Sequence, residues 1–196
     1  MIDPAIFRQI FARSDVHFVT IYGDQGVRPE ASELAAASVL VPIVMREAEA
    51  TVLFTRRTAH LKNHSGQISF PGGRAEPEDP SPEHTALRET FEEIGLAAER
   101  VELLGRLGDY HTRTGYRITP VVGLVTPPFE LSPDGHEVDE VFEVPLAFLL
   151  DPANHQRHSR EFQGETRHFF AIPWRDYYIW GATAGMLVNL QRRLSR

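Results

Sequence analysis

Gly73-Arg74-Ala75-Glu76-Pro77-Glu78-Asp79-Pro80-Ser81-Pro82-Glu83-His84-Thr85-Ala86-Leu87-Arg88-Glu89-Thr90-Phe91-Glu92-Glu93-Ile94-Gly95-Leu96 is the stretch on which the chain turns. Ser81 suits an N-cap and Pro82 the first helical position, so a helix should start there. It should run to about Ile94, with Gly95 as its C-terminal stop. Glu89, Glu92 and Glu93 then stand at i, i+3 and i+4 on one helical face, where like charges repel. A divalent cation removes that conflict. The cluster therefore points to a Mg²⁺ or Mn²⁺ site for phosphate chemistry, with Glu89 and Glu93 as the first-ranked ligand pair and Glu92 assisting. Ala86, Leu87 and Phe91 are expected to face the core while the carboxylates face out.

Charge is segregated around this stretch. From Thr51 to Ala75 the charged residues are Arg56, Arg57, Lys62 and Arg74, with no acid. From Glu76 to Glu93 seven acids face Arg88 alone. A metal-dependent enzyme acting on a polyanion needs both halves, cations for the substrate and carboxylates for the metal. Arg57, Arg56, Lys62 and Arg74 are the phosphate-binding candidates, with His60 and His64 as weaker ones. Gly72 and Gly73 should allow close backbone approach. Arg88 should orient the acidic cluster by pairing with Glu92 or with a loop carboxylate. For the general base, a glutamate of the cluster or the loop acids Glu137 and Glu140 are in play. Phe70 is expected in the core rather than stacked on a base.

The whole chain of 196 residues carries a net charge of −7, which argues against a nucleic-acid partner. It has no cysteine, which excludes thiolate catalysis and fits a reducing, cytoplasmic setting. No run is apolar enough to span a membrane, and the N-terminus does not read as a signal peptide. One domain over 1–196 is expected, residues 1–33 forming a short helix (3–13) and a polar arm. Strands are expected at Ala36–Val44, Thr51–Arg57, Ile68–Phe70, Val101–Gly108, Ile118–Thr126, Val138–Pro145 and Thr166–Pro173. The first two should form a hairpin, with Pro42 marking an edge or bulge. Turns or polar loops are expected at 71–73, 109–117 and 157–164, a short helix at 146–150, and a closing helix over Tyr178–Leu194. Layered, these elements give an α/β/α sandwich with a mixed sheet. The aromatic run Trp174–Trp180 reads first as core, with pocket or homodimer contact left open.

The residues resemble a known family. Arg88-Glu89-x-x-Glu92-Glu93-x-Gly95, preceded by Gly73 and an acid, looks like the Nudix box of pyrophosphohydrolases acting on nucleoside diphosphate derivatives. Asp79 stands for the usual Glu, and eight residues rather than seven separate it from Arg88. Most weight therefore falls on Glu89, Glu92 and Glu93, and less on acids before Arg88. Upstream, Leu53-Phe54-Thr55-Arg56-Arg57-Thr58, Gly66, Ile68 and Phe70-Pro71-Gly72-Gly73 resemble the motif of the coenzyme A pyrophosphatase branch. Tyr178-Ile179-Trp180-Gly181-Ala182-Thr183-Ala184 is similar to the end of the same family. The resemblance implies a Nudix fold, the backbone carbonyl of Gly73 as a further metal ligand, and cleavage of coenzyme A to 3′,5′-ADP and 4′-phosphopantetheine. Two other functions stay open: a Nudix hydrolase of another diphosphate such as ADP-ribose or NADH, and a Nudix-fold binding module without turnover.

Overall fold

The computed structural model describes residues 3–13, 21–22, 34–60, 64–162 and 164–195. Along the chain come α1 (Pro4–Phe11), β1 (Ile21–Tyr22), β2 (Ala35–Met45), β3 (Ala50–Arg57), β4 (Ile68–Ser69), β5 (Gly72–Arg74) and α2 (Pro82–Ile94). Then follow β6 (Val101–Arg106), β7 (Tyr110–His111), β8 (Tyr116–Val125), β9 (Val138–Pro145) and α3 (Leu146–Leu150). β10 (Gln156–Phe162), β11 (Glu165–Trp174), β12 (Tyr177–Trp180) and α4 (Ala182–Leu194) complete the series.

The apolar run of β2 makes it the central strand. It pairs in parallel with β8 from Ala35↔Tyr116 to Val44↔Val125. On its other side it pairs antiparallel with β3 at residues 43–45 and with β5 at residues 37–39. β9 and β4 extend the sheet from β3, and β6, β7 and β1 from β8. Side chains alternate across the sheet. Val41 and Ile43 of β2, with Val52 and Phe54 of β3, join a core that contains Phe7, Leu146, Leu187 and Leu190. Leu40, Val44 and Leu53 join Ala86, Ile94, Val121 and Val125 on the opposite face. So α2 covers one face while α1, α3 and α4 cover the other, and the sheet is mixed, as expected for an α/β/α sandwich.

The expected β2–β3 hairpin forms. Several details differ. Pro42 is neither at an edge nor in a bulge. Two residues earlier, Leu40 N–H donates to the Pro71 carbonyl. Position 42 thus points to the gap where β2 exchanges β5 for β3, and a missing donor costs nothing there. Gly72 and Gly73, expected as a turn, lie in strand β5 against Val39 and Ser38. The 109–117 loop contains strand β7. Of the polar arm over 14–33, only Ile21 and Tyr22 are among the described residues, as a strand parallel to β7.

The largest departure is a second, three-stranded antiparallel sheet, β10-β11-β12. Residues 157–164, expected as a polar loop, are largely its strand β10. The closing helix starts at Ala182, not Tyr178, because Tyr177–Trp180 pairs with Ala171–Trp174. Ile172 and Ile179 of this sheet enter the main core. Tyr177 stacks on Phe142 of β9 at 3.8 Å between ring centroids. The Thr183 hydroxyl donates to the Ile68 carbonyl at 3.0 Å, fixing the start of α4 to β4.

α2 forms as its caps foretell. Ser81 Oγ accepts from His84 N–H, and Gly95 closes the helix in the left-handed conformation at φ 71°. Beyond it, Ser132 N–H and Asp134 N–H each reach the last carbonyls, of Ile94 and Glu93, at 2.8 Å. The helix is not oriented quite as expected, since Phe91 is 58% exposed and Leu87 only half-buried, while Thr85, Thr90 and Glu93 are buried. A strand-facing stripe of small residues (Ala86, Thr90) lets the helix sit close to the sheet and draws Glu93 inward.

Phe54 is fully buried between Phe70 and Phe142, with centroids at 5.1 and 5.7 Å. Phe54→Ala should cost about 3–5 kcal/mol of unfolding free energy, read as a lowered urea midpoint with an unchanged m-value.

Candidate metal centre

Arg88 organises the acidic helix. Its Nε and Nη2 donate to the two carboxylate oxygens of Asp79 at 3.1 and 2.9 Å. Its Nη1 stands 3.0 Å from both Glu89 and Glu92, and Nη2 also donates to the Arg74 carbonyl at 3.2 Å. One guanidinium thus joins the helix, the glycine-rich strand β5 and the turn before the helix. The Asp79 carboxylate is buried and further accepts from the Thr85 hydroxyl and Glu76 N–H, and pairs with His84. The Arg88 guanidinium, followed by these donors, holds Asp79 well below the usual carboxylate range. Arg88 is raised by the same contact. The expected Arg88–Glu92 pair is present, but Asp79 is the stronger anchor. The extra residue before Arg88 is absorbed in the turn; its spacing gives Asp79 little weight in the sequence, and an acid preceding a capped helix is the signal that could have found it.

Glu89 and Glu93 meet the glycines. A Cβ added at Gly73 would overlap the Glu89 carboxylate, so this carboxylate lies flat against the strand only because residue 73 has no side chain. Gly72 N–H donates to Glu93 Oε2 at 3.1 Å. Glu93 is 6% exposed. Burial pushes its carboxyl up to about 7, opposed by the Gly72 N–H and Arg57 and reinforced by Glu137 and Glu89. Burial also raises Glu89, against the pull of Arg88. Two neighbouring carboxylates held partly out of water gain from a cation. Hard oxygens from Glu89 and Glu93, with the Gly73 carbonyl, suit Mg²⁺ or Mn²⁺. Glu92 is exposed and drawn toward Arg88. Among the described residues no three acidic or histidine side chains are already gathered as a ligand set. As the side chains stand, arginines balance the charge.

The remaining candidates separate by sheet face. Arg57 points to the α2 side, with Nη1 at 3.6 Å from Glu93 and Nη2 at 3.4 Å from Glu137. Glu137 is therefore brought to the cluster. Arg56 points the other way, to Asp139 at 2.8 Å and Glu140 at 3.0 Å. Glu140 also accepts from the Tyr177 hydroxyl at 2.7 Å. Arg56 and Glu140, expected near the chemistry, instead anchor the small sheet on the far face. The cause is alternation along β3, which sends consecutive residues to opposite sides. Arg74 follows Gly73 and is exposed on the side away from α2. His60 is exposed, and His64 pairs with Gln67 at 2.8 Å. Phe70 packs in the core, as expected. Lys62 lies outside the described residues.

Residues 35–164 match the NUDIX domain family. The chain is 38% identical over 159 residues to the uncharacterized Nudix hydrolase NudL of Yersinia pestis (strain Pestoides F), covering 81% of this chain and 79% of that protein. NudL of Yersinia pseudotuberculosis serotype O:1b (strain IP 31758) matches with the same values. Among solved structures, a C. elegans Ap4A hydrolase in a binary complex is similar at 18% identity and TM-score 0.48, over 58% of this chain and 82% of that one. The M. smegmatis Nudix hydrolase RenU is similar at 24% identity and TM-score 0.48, over 67% of this chain and 81% of that one.

The two glycines should respond differently to substitution. A Cβ at Gly72 would strike the Ser38 carbonyl and Val39 backbone, at a φ of 148°. Gly72→Ala should therefore lower the melting temperature. At Gly73 the obstacle is the movable end of Glu89. Gly73→Ala should melt within a few degrees of wild type yet lose Mn²⁺ affinity in calorimetric titration. Equal Mn²⁺ affinity in both proteins would separate Glu89 from the metal.

Glu93 gives a pH test. Its folded value near 7 exceeds the unfolded carboxylate value of ~4.3, so the folded chain holds the extra proton between the two. Stability of the metal-free chain should fall as pH rises through that window. Glu93→Gln should abolish this fall and melt a few degrees higher than wild type at pH 8, while turnover drops by orders of magnitude.

Proposed function

The chain belongs to the Nudix hydrolases, which act on pyrophosphate bonds, and on that premise we propose that it cleaves the diphosphate bridge of coenzyme A or a derivative of it. The products would be 3′,5′-ADP and 4′-phosphopantetheine. The observation that carries this reading is the position of Arg57. This arginine belongs to the upstream segment that resembles the coenzyme A pyrophosphatase motif, and it stands between Glu93 and Glu137. The segment suited to a polyanion and the helix suited to a metal therefore meet at one guanidinium.

Glu89, Glu93 and the Gly73 carbonyl would hold Mg²⁺ or Mn²⁺, with Glu92 at the margin; such an ion offsets phosphate charge and acidifies water when bound. The protein's own groups have distinct tasks. Gly72 N–H orients the Glu93 carboxylate. Arg88, fixed by five acceptor atoms, orients Glu89 and Glu92 and does not reach for substrate. Arg57 is held at 3.4–3.6 Å, longer than a strong charge-assisted bond. It is free to turn its fork toward phosphate oxygens. Glu137, an exposed carboxylate beside Arg57, is suited to accept a proton from water at its carboxylate oxygen. A chain without cysteine suits a reducing cytoplasm, and no described helix is long and apolar enough to cross a membrane.

The test is product analysis by mass spectrometry after incubation with coenzyme A and Mg²⁺ or Mn²⁺, beside dephospho-coenzyme A and ADP-ribose. The expected result is release of 4′-phosphopantetheine and 3′,5′-ADP. Preferential cleavage of ADP-ribose, with coenzyme A and acyl-coenzyme A left intact, would reassign the substrate. Arg57→Ala should lower kcat/KM for coenzyme A by about 10- to 100-fold, while Arg56→Ala stays within about threefold.

A further inference from the structure

We propose that Thr58 is a positioning residue: its hydroxyl and its N–H clamp the loop that carries Glu137, and so set where that carboxylate stands beside Arg57. The clamp deepens the proposed function and rests on its reading of Glu137 as the proton acceptor. Thr58 directly follows β3 and is 5% exposed. Its Oγ1 donates to the His136 carbonyl at 2.9 Å. Its N–H donates to the Glu137 carbonyl, also at 2.9 Å. One buried residue thus holds two consecutive carbonyls of the loop before β9.

This loop is strung between the two elements that make the cluster. At its start, Ser132 N–H donates to the Ile94 carbonyl and Asp134 N–H to the Glu93 carbonyl, which ties it to the end of α2. In its middle, Asp134 turns the chain. The Asp134 carbonyl accepts from Glu137 N–H at 3.0 Å and from Val138 N–H at 2.8 Å, and its carboxylate accepts from His136 N–H at 3.0 Å. At its end stands Thr58, the next residue after Arg57. A bulge sets the register there. Between Arg56 and Arg57 the β9 partner moves from Glu140 to Val138, so Asp139 is an extra residue on β9. Asp139 and Glu140 both pair with Arg56. Past the bulge, the ladder resumes with Thr58 N–H on the Glu137 carbonyl.

Main chain and side chain of Glu137 are held very differently. Its N–H and its carbonyl are both bonded, to Asp134 and to Thr58. Its carboxylate is half-exposed and reaches Arg57 at 3.4 Å, a long contact. A carboxylate that takes a proton from water has to stay in contact with solvent, so its place must be set through the backbone. Thr58 does this from the buried side. Satisfying a carbonyl is the ordinary task of a buried threonine hydroxyl. What sets Thr58 apart is the carbonyl it serves, which belongs to the residue before a carboxylate facing the cluster. A misplacement of about 1 Å in a reacting group can cost about 100-fold in rate.

The experiment compares full-length wild type, Thr58→Val, Thr58→Ser, Glu137→Gln and the Thr58→Val, Glu137→Gln double variant. Valine removes the hydroxyl and serine keeps it. Melting curves establish that each variant is folded, and Thr58→Ala stands in where valine disturbs packing. Amide hydrogen exchange is followed over residues 132–138, and kcat and KM are measured with Mn²⁺ on coenzyme A, or on ADP-ribose where that is the compound cleaved. Thr58→Val should exchange faster over 132–138 and lose about tenfold in kcat, with KM within about twofold of wild type. Thr58→Ser should restore both. In the Glu137→Gln background, Thr58→Val should cost no further kcat, because the two residues act as one unit. Unchanged exchange in Thr58→Val overturns the clamp. So does wild-type kcat in that variant beside an impaired Glu137→Gln, and so does a kcat loss that persists in the Glu137→Gln background. Wild-type turnover by Glu137→Gln removes the proton-acceptor reading alone. Exchange then decides the clamp: faster exchange in Thr58→Val, reversed in Thr58→Ser, upholds it, and wild-type exchange overturns it.

Discussion

Three glutamates within two turns of one helix repel each other, and the fold offsets that repulsion with two guanidinium groups, Arg88 beside Glu89 and Glu92 and Arg57 beside Glu93. Arg88 touches Asp79, Glu89, Glu92 and the Arg74 carbonyl at once. Together these contacts tie three pieces of chain: the turn before α2, α2 itself, and strand β5. Because β5 pairs with the central strand β2, the helix is referenced to the middle of the sheet. The glycines then decide how near the carboxylates come. Gly73 makes room for Glu89, and Gly72 offers its N–H to Glu93. Charge repulsion, cation placement and the absence of two side chains together produce a pair of carboxylates that water no longer fully stabilises.

Alternation along one strand divides the remaining charges. Arg56 and Arg57 are neighbours in sequence, yet one anchors the β10–β12 sheet through Glu140 and the other faces Glu93. Tyr177 completes the anchor by donating to Glu140 and stacking on Phe142. The same strand thus serves structure on one face and the candidate chemistry on the other. The Arg88 contacts are short and multiple, whereas those of Arg57 are long and exchangeable. That difference suits a fixed organiser beside a cation able to turn toward a substrate.

Much of this was legible in the residues. Ser81, Pro82 and Gly95 bounded α2, the apolar run 36–44 marked a buried strand, and the i, i+3, i+4 glutamates located the cluster. Other features were legible only in three dimensions. Residues 157–164 are polar because β10 has an edge in solvent, and polarity there resembled a loop. Tyr178–Trp180 carried apolar residues consistent with the following helix until pairing with β11 made them a strand. Phe91 was read as core because aromatic residues usually are, but the small residues Ala86 and Thr90 occupy the contact stripe. Asp79 was discounted for its irregular spacing, which the hydrogen-bonded turn before α2 accommodates. Pro42 pointed to an edge, since sequence does not show where one neighbour strand replaces another.

The central claim is that Glu89, Glu93 and the Gly73 carbonyl form one cation site at the contact of α2 with β5. The most direct measurement is anomalous diffraction from crystals of the full-length chain grown with Mn²⁺. The account expects a manganese peak bounded by those three groups, with Arg88 still on Asp79. A peak elsewhere, or saturating Mn²⁺ with Glu93 still held only by Gly72 and Arg57, would contradict it.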